Sequence, residues 1–436
     1  MPSKRVRTVE SKVVRGVLEG INYDDPVVRY RGSKVLRITR IVADKEVDIP
    51  LSLAIDIFYA FYLPMPILEN PARIPNDKRY DYMVIDSLLR TSSIHNIRSK
   101  TVVDGLMSSI AASIFLSELQ KIQQEMGPGR RHGGKTGYDD RSVKREVDRI
   151  ASSIARDLDN VKKLRSLIEG DQPGTISVVA YEEYGLELIR LARNLEVRRI
   201  LDLLTGIKPW AISIERRKQR FKHGEITGYE IGRDIERIVP STLALPDELF
   251  YLRLLEGRLL LYQKVLTQGR GSLYVLLDKS GSMDGLKMTW AKAVALSLYM
   301  RAVKERRNFY FRFFDSIPYP LAKVDKKPKA SQVLKLIDYI ARVRGSGGTD
   351  ITRALITACS DVREGNVGDV NDIILITDGV DRVAEQIIRH NLKRANAKLI
   401  TVMILGNNRS LEEVSTRYFT VAKLTQKNIL QIVEAD

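Results

Sequence analysis

Between Val103 and Ile122 the apolar residues fall at Val103, Leu106, Met107, Ile110, Ile114, Phe115, Leu119 and Ile122. That three-and-four spacing lines one face of a helix and predicts one over residues 100–126. The rhythm resumes at Val143, Val147, Ile150, Ile154 and Leu158, predicting a helix over 141–168 that the turn signal Asp171-Gln172-Pro173-Gly174 closes. A further helix is expected over 180–204. The most apolar run, Leu51 to Leu68, contains Asp56, Pro64 and Pro66, which a lipid-facing helix would not tolerate. It reads as a buried core helix ending near Leu63. Period-two alternation is scarce here, so an all-α domain is expected over 1–227. Residues 228–270 read as a bridge, with a long amphipathic helix from about Pro246 to Leu266 and a junction at Gln268-Gly269-Arg270-Gly271.

After Gly271 the pattern changes. Leu273–Leu277, Phe309–Phe314, Ile373–Ile376 and residues 399–405 are short continuous apolar runs, as expected of strands buried on both faces. Helical stretches separate them at about 286–305, 330–343, 351–363 and 382–396, and two more close the chain near 410–417 and 425–434. Strands alternating with helices predict an α/β domain over 271–436, a mainly parallel sheet with helices on both faces.

Three segments of this half carry matching chemistry. Asp278-Lys279-Ser280-Gly281-Ser282 directly follows the first strand. Thr377-Asp378-Gly379 directly follows Ile373–Ile376. Gly345-Ser346-Gly347-Gly348-Thr349-Asp350 is a flexible loop opening a helix. In open α/β sheets, ligands bind beyond the carboxyl ends of the strands, where the strand order reverses. Asp278, Ser280, Ser282, Thr349 and Asp378 offer only oxygen, which suits Mg2+, Mn2+ or Ca2+ over zinc or copper. Two carboxylates and three hydroxyls suit magnesium best, since calcium prefers more ligands and more carboxylates. Such a shell leaves the cation short of charge, so an acidic side chain of a protein ligand can complete it.

Enzymatic readings of these segments are poorer. A haloacid-dehalogenase-type phosphatase needs a second Asp where Ser280 stands. A serine hydrolase needs a base beside its serine, and none of His95, His132, His223 and His390 has an evident place beside Ser282. Gly129–Thr136 satisfies the G-x-x-x-x-G-K-[ST] string of a phosphate-binding loop. It lacks the preceding strand and following helix that would aim backbone amides at a phosphate, and reads as a basic surface loop. Loss of ATP binding in Lys135→Ala would contradict that reading.

Composition then narrows the class. A chain of 436 residues exceeds one ordinary core of about 100–200 residues. The formal charge of +17 favours an acidic partner, and the alternative reading is a nucleic-acid or anionic-membrane binder using its basic helical half. Lys4-Arg5-Val6-Arg7 and Arg216 to His223 are the basic stretches in question. Cys359 is the only cysteine, which excludes an intrachain disulfide and a thiolate zinc cluster. Met1 to Glu10 is charged and lacks an apolar core, so no signal peptide and a cytoplasmic location are expected.

The ordered D-x-S-x-S, distant Thr and T-D-G pieces resemble the metal-ion-dependent adhesion site of von Willebrand factor A domains. The resemblance implies that Ser280, Ser282 and Thr349 contact the metal directly and that Asp278 and Asp378 act through water. Gly228 to Tyr262, with I-G-R-D-I-E-R-I-V-P-S-T-L-A-L followed by L-L-E-G-R-L-L-L-Y, looks like the segment preceding the metal domain in ViaA and CoxE-like proteins. This second resemblance covers about the last 210 residues. It implies a non-enzymatic adaptor or co-chaperone of a MoxR-type AAA+ ATPase, acting in complex maturation or metal insertion, with no small-molecule substrate.

Overall fold

The computed structural model describes residues 15–43, 48–125, 140–169, 181–205, 219–266, 271–368, 370–379 and 382–435. The turn at 171–174, the phosphate-loop-like string at 129–136 and the basic stretch at 4–7 lie outside them, as do the first three residues of 216–223. The chain divides into two compact units. One is Met1–Thr205 with Pro328–Arg344, and the other is Gly206–Lys327 with Gly345–Asp436.

The first unit is helical: α1 (Pro26–Ala43), α2 (Leu51–Tyr62), α3 (Arg79–Arg90), α4 (Ile94–Thr101), α5 (Gly105–Glu125), α6 (Asp140–Glu169), α7 (Tyr181–Arg193) and α8 (Leu195–Leu204). The run at 51–63 is the expected core helix, with ten consecutive buried residues from Ser52 to Phe61. The helix expected over 180–204 is two. Asn194 leaves helical geometry, and its side chain accepts from the Glu196 amide to start α8. Asp157 of α6 ties the break down, pairing with Arg193 at 3.1 Å and Arg198 at 2.7 Å.

Inside this unit Asp56 is fully buried. It accepts from the Val17 amide at 3.1 Å and from the Tyr23 hydroxyl. Burial pushes its carboxyl up to about 7, against the opposing hydrogen bonds from Tyr23 and Val17, and the nearby Asp81 charge adds to the rise. A raised native pKa means the folded state holds the proton more tightly than the unfolded chain. Stability is therefore highest below the unfolded carboxyl value near 4 and falls as pH climbs toward 7, by up to about 1.4 kcal/mol per pH unit. Thermal unfolding at pH 5 and pH 7.5 should show that loss in the wild type, and Asp56→Asn should remove most of this difference.

The second unit begins with β1 (Gln219–Gly232), then α9 (Pro240–Leu243), α10 (Asp247–Glu256) and β2 (Leu259–Leu266). This corrects two expectations. The all-α region ends before 219, not at 227, and the long helix over 246–266 does not exist. Gly257 stops α10 at φ 70°, with its amide and that of Arg258 closing back on the last helical carbonyls. The following Leu259-Leu260-Leu261-Tyr262 run then pairs antiparallel with β1, Ile231 opposite Leu260 and Glu230 opposite Leu261.

There follow β3 (Ser272–Asp278), α11 (Leu286–Lys304), β4 (Phe309–Phe314), β5 (Ala322–Val324), α12 (Ala330–Arg342), α13 (Ile351–Arg363), β6 (Val370–Thr377), α14 (Glu385–Ala395), β7 (Lys398–Ile404), α15 (Arg409–Val414), β8 (Arg417–Val421) and α16 (Gln426–Ala435). The α/β expectation for this half is met. The six-stranded sheet runs β5-β4-β3-β6-β7-β8, parallel throughout except for the antiparallel edge strand β5. β5 and β8 are too short and too exposed to show as apolar runs. Tyr274, Leu276, Ile373 and Leu375 share a core with α13 and α14, while α11 and α16 pack together elsewhere in the unit.

Within 271–436 one helix clusters with the first unit. α12 belongs to the helical unit. Its apolar stripe, Val333, Leu334, Leu336, Ile337, Ile340 and Ala341, is buried, and it packs with α6, α7 and α8. A periodic stripe reveals that a helix buries a face, but not against which neighbour.

Candidate metal centre

Strand order reverses at β3. The chain leaves it toward β4 on one side and returns in β6 on the other. Loops leaving β3 and β6 in opposite directions open a crevice at their carboxyl ends. Asp278 is the last residue of β3, and Asp378 follows the last residue of β6.

The Asp278 carboxylate is wholly buried. One oxygen accepts from the Ser280 amide at 2.8 Å and the other from the Thr377 hydroxyl at 2.5 Å. Burial raises its pKa, the bonds from Thr377 and Ser280 oppose the rise, and the Asp378 charge adds to it. A short turn at Gly281–Met283, anchored by the buried Met283 side chain, brings the two serines together. Ser280 Oγ lies 3.1 Å from Ser282 Oγ, and Ser282 Oγ donates to Asp378 Oδ1 at 2.7 Å. The Lys287 ammonium sits on Asp378 Oδ2 at 2.7 Å.

Thr349 arrives on the glycine loop. The Gly281 amide donates to Gly347 O at 3.0 Å, and the Ser346 amide donates to Lys279 O at 2.6 Å. Gly347 has φ 95°, and a Cβ there would fall 2.9 Å from Asp315 Oδ2, so both backbone and space demand glycine. A Cβ on Gly379 would fall 3.2 Å from Thr349 Cγ2, which places Thr349 against the backbone next to Asp378. Asp278, Ser280, Ser282 and Asp378 are thus joined by direct hydrogen bonds or through Thr377, and Thr349 is held alongside by the loop.

Sequence reasoning missed the residues that fix this loop. Lys279, the unassigned second position of the D-x-S-x-S string, is buried. Its ammonium meets Asp315 Oδ2 at 3.0 Å, Ser346 Oγ at 3.1 Å and the Tyr319 ring at 4.5 Å from the centroid. Burial works to lower its pKa, but the bonds to Tyr319 and Asp315 outweigh that and raise it. Asp315 also accepts from the Ile317 amide and the Tyr319 hydroxyl, each at 2.9 Å. Asp315 directly follows β4, at the same sheet edge, and that placement was the available signal. Thr377, which the T-D-G string gives no role of its own, donates to the second oxygen of Asp278.

The donor set fits a small hard cation. It is all oxygen, and among the described residues no group of three or more His, Cys, Asp and Glu offers a softer site. With both carboxylates ionised, Lys287 offsets one of two negative charges, so a bound dication would leave net positive charge facing outward. Beside Thr349 opens a cleft of ≈ 530 Å³ lined by residues including Ser316, Thr352 and Arg382. The Ser282 hydroxyl is engaged with Ser280 and with the Asp378 carboxylate, whose other oxygen holds Lys287. Cys359 is buried, and burial pushes its thiol up to about 11, far from the range of a reactive cysteine.

Residues 272–432 match the family model for the von Willebrand factor type A domain. This segment is a von Willebrand factor type A domain. An uncharacterized protein of Methanocaldococcus jannaschii is 27% identical over 372 residues, covering 81% of this chain and 83% of that protein. The regulatory protein ViaA of Edwardsiella ictaluri is 30% identical over 192 residues, covering 38% of this chain and 35% of its own length. A solved von Willebrand factor type A structure from Catenulispora acidiphila is 16% identical, covers 39% of this chain and 43% of that one, and superposes with a TM-score of 0.30. The A domain here contains β3 to β8, while α12, between β5 and the Thr349 loop in sequence, packs in the helical unit. Among the described residues, no helix is long and apolar enough to cross a membrane.

Proposed function

We propose that this chain is a non-enzymatic, magnesium-dependent adaptor whose von Willebrand factor A domain captures an acidic side chain of a protein partner. The observation carrying this is the chain of contacts Ser280–Ser282–Asp378 at the strand-order reversal, beside the buried Asp278. Ser280, Ser282, Thr349 and Asp378 would hold the ion, with Asp278 orienting the serine turn. Bound there, the ion supplies a Lewis-acidic position for a carboxylate. The protein holds its hydroxyls in place beforehand, so little ordering cost is left for the binding step.

The partner we propose is a AAA+ ATPase of the MoxR class, for which this chain serves as regulator or co-chaperone in the cytoplasm. The relation to a protein named as regulatory supports a regulatory role. Affinity capture from lysate should recover such an ATPase with magnesium present and lose it in EDTA. Capture that is indifferent to EDTA would overturn the metal-dependent part of this reading. The charge of +17 favours one competing outcome, a nucleic-acid or anionic-membrane binder, which would announce itself by a steep loss of DNA or vesicle binding with salt.

A further inference from the structure

Asp378 has two partners within the chain, and they differ in what they leave possible. Ser282 donates to Oδ1 at 2.7 Å, and its hydroxyl oxygen keeps lone pairs for a cation. Lys287 holds Oδ2 at 2.7 Å with a full positive charge. An ammonium and a metal ion repel each other, so they cannot share one carboxylate without cost.

Local structure gives Lys287 no reason to stand where it does. It is the second residue of α11, whose first turn holds no acidic side chain. The amino end of a 19-residue helix carries partial positive charge and disfavours a cation. What favours it there is Asp378, 91 positions away in sequence. Lys287 is also the partner that can leave. Its side chain is 29% exposed, against 3% for Asp378, and its flexible stem lets the charge swing out to water. Lys279, the other lysine near the serine string, lacks that freedom, being buried and tied to Asp315 and Ser346.

We infer that Lys287 is a tethered competitor for the metal ion, setting both the strength and the valence of what Asp378 accepts. An entering ion must displace the ammonium. A monovalent ion exchanges one unit charge for another and gains nothing. A dication brings a second charge and wins, at reduced affinity. The displaced ammonium then stands at the rim and adds to the positive charge that an acidic partner meets. Such a partner raises metal affinity by the same factor as the metal raises affinity for it. This rests on the metal reading of Asp378 above and adds the residue that limits its loading.

Calorimetric titration with magnesium chloride and thermal unfolding of the full chain test it. Lys287→Met keeps the stem and removes the charge, and should bind magnesium about tenfold more tightly than the wild type. Lys287→Arg keeps the charge and should bind as weakly as the wild type. In EDTA, Lys287→Met should unfold at a lower temperature, because Asp378 has lost its counter-ion. In saturating magnesium that deficit should vanish or reverse, because the loaded wild type has given up the same pair. An ion pair with a structural role alone would leave the deficit in both conditions. Lys287→Met binding magnesium no more tightly than the wild type overturns the inference and spares the metal reading. Lys287→Arg gaining as much as Lys287→Met also overturns it, since charge is then not the cause. Magnesium binding by neither the wild type nor Lys287→Met overturns the metal reading as well.

Discussion

Asp378→Ala is expected to abolish magnesium binding while leaving the fold in place. Its carboxylate meets Ser282 at 2.7 Å and Lys287 at 2.7 Å, the first exposed and the second partly so. Truncation leaves a partly exposed lysine and a hydroxyl that can turn to water. Affinity should fall about 100-fold or more, since the one negatively charged residue among those proposed to hold the ion is lost. Asp278→Ala should lose the metal and stability together. Its carboxylate is fully buried and is the acceptor for the Ser280 amide and the Thr377 hydroxyl. Two buried donors left unpaired cost about 1–3 kcal/mol each. Calorimetric titration with magnesium beside thermal unfolding separates the two variants. Wild-type affinity in Asp378→Ala would remove the basis for a metal centre here.

Lys279→Met should damage both the fold and the site, although Lys279 offers no ligand. The lysine and Asp315 are both nearly buried and pair at 3.0 Å. Removing one member of a buried pair leaves the other charge uncompensated, a loss of about 3 kcal/mol here because Asp315 keeps its bonds to Ile317 and Tyr319. The Ser346 side chain loses its anchor as well, so the loop carrying Thr349 loosens and metal affinity falls about tenfold. Adding Asp315→Asn should cost less than the two single changes together, because the second change removes the stranded charge. An unfolding midpoint like the wild type's, with unaltered metal affinity, would mean the loop is held by its backbone bonds alone.

The candidate ligands were legible because each followed or opened an element whose pattern was clear. Asp278 and Asp378 sit at the ends of apolar runs that can only be buried strands, and Thr349 precedes a helix capped by Asp350. The ion pair fixing them was not legible. Lys279 and Asp315 are 36 positions apart, and a lysine between two motif residues looks like an exposed spacer until the fold buries it. The segment 246–266 was misread for a related reason. Leu249 to Leu261 satisfies a helical stripe and a strand run alike, and a single left-handed glycine at 257 decides between them.

Local pattern alone therefore determined the helical first half, the alternating second half and the oxygen-rich chemistry at two strand ends, since these depend on spacing that one segment carries by itself. The strand order that makes a crevice at β3, the transfer of α12 to the helical unit and the pairing of Lys279 with Asp315 were decided only in three dimensions. Each of those depends on which distant surface a segment meets, and a side chain's burial and charge environment are properties of that meeting rather than of its neighbours in the chain.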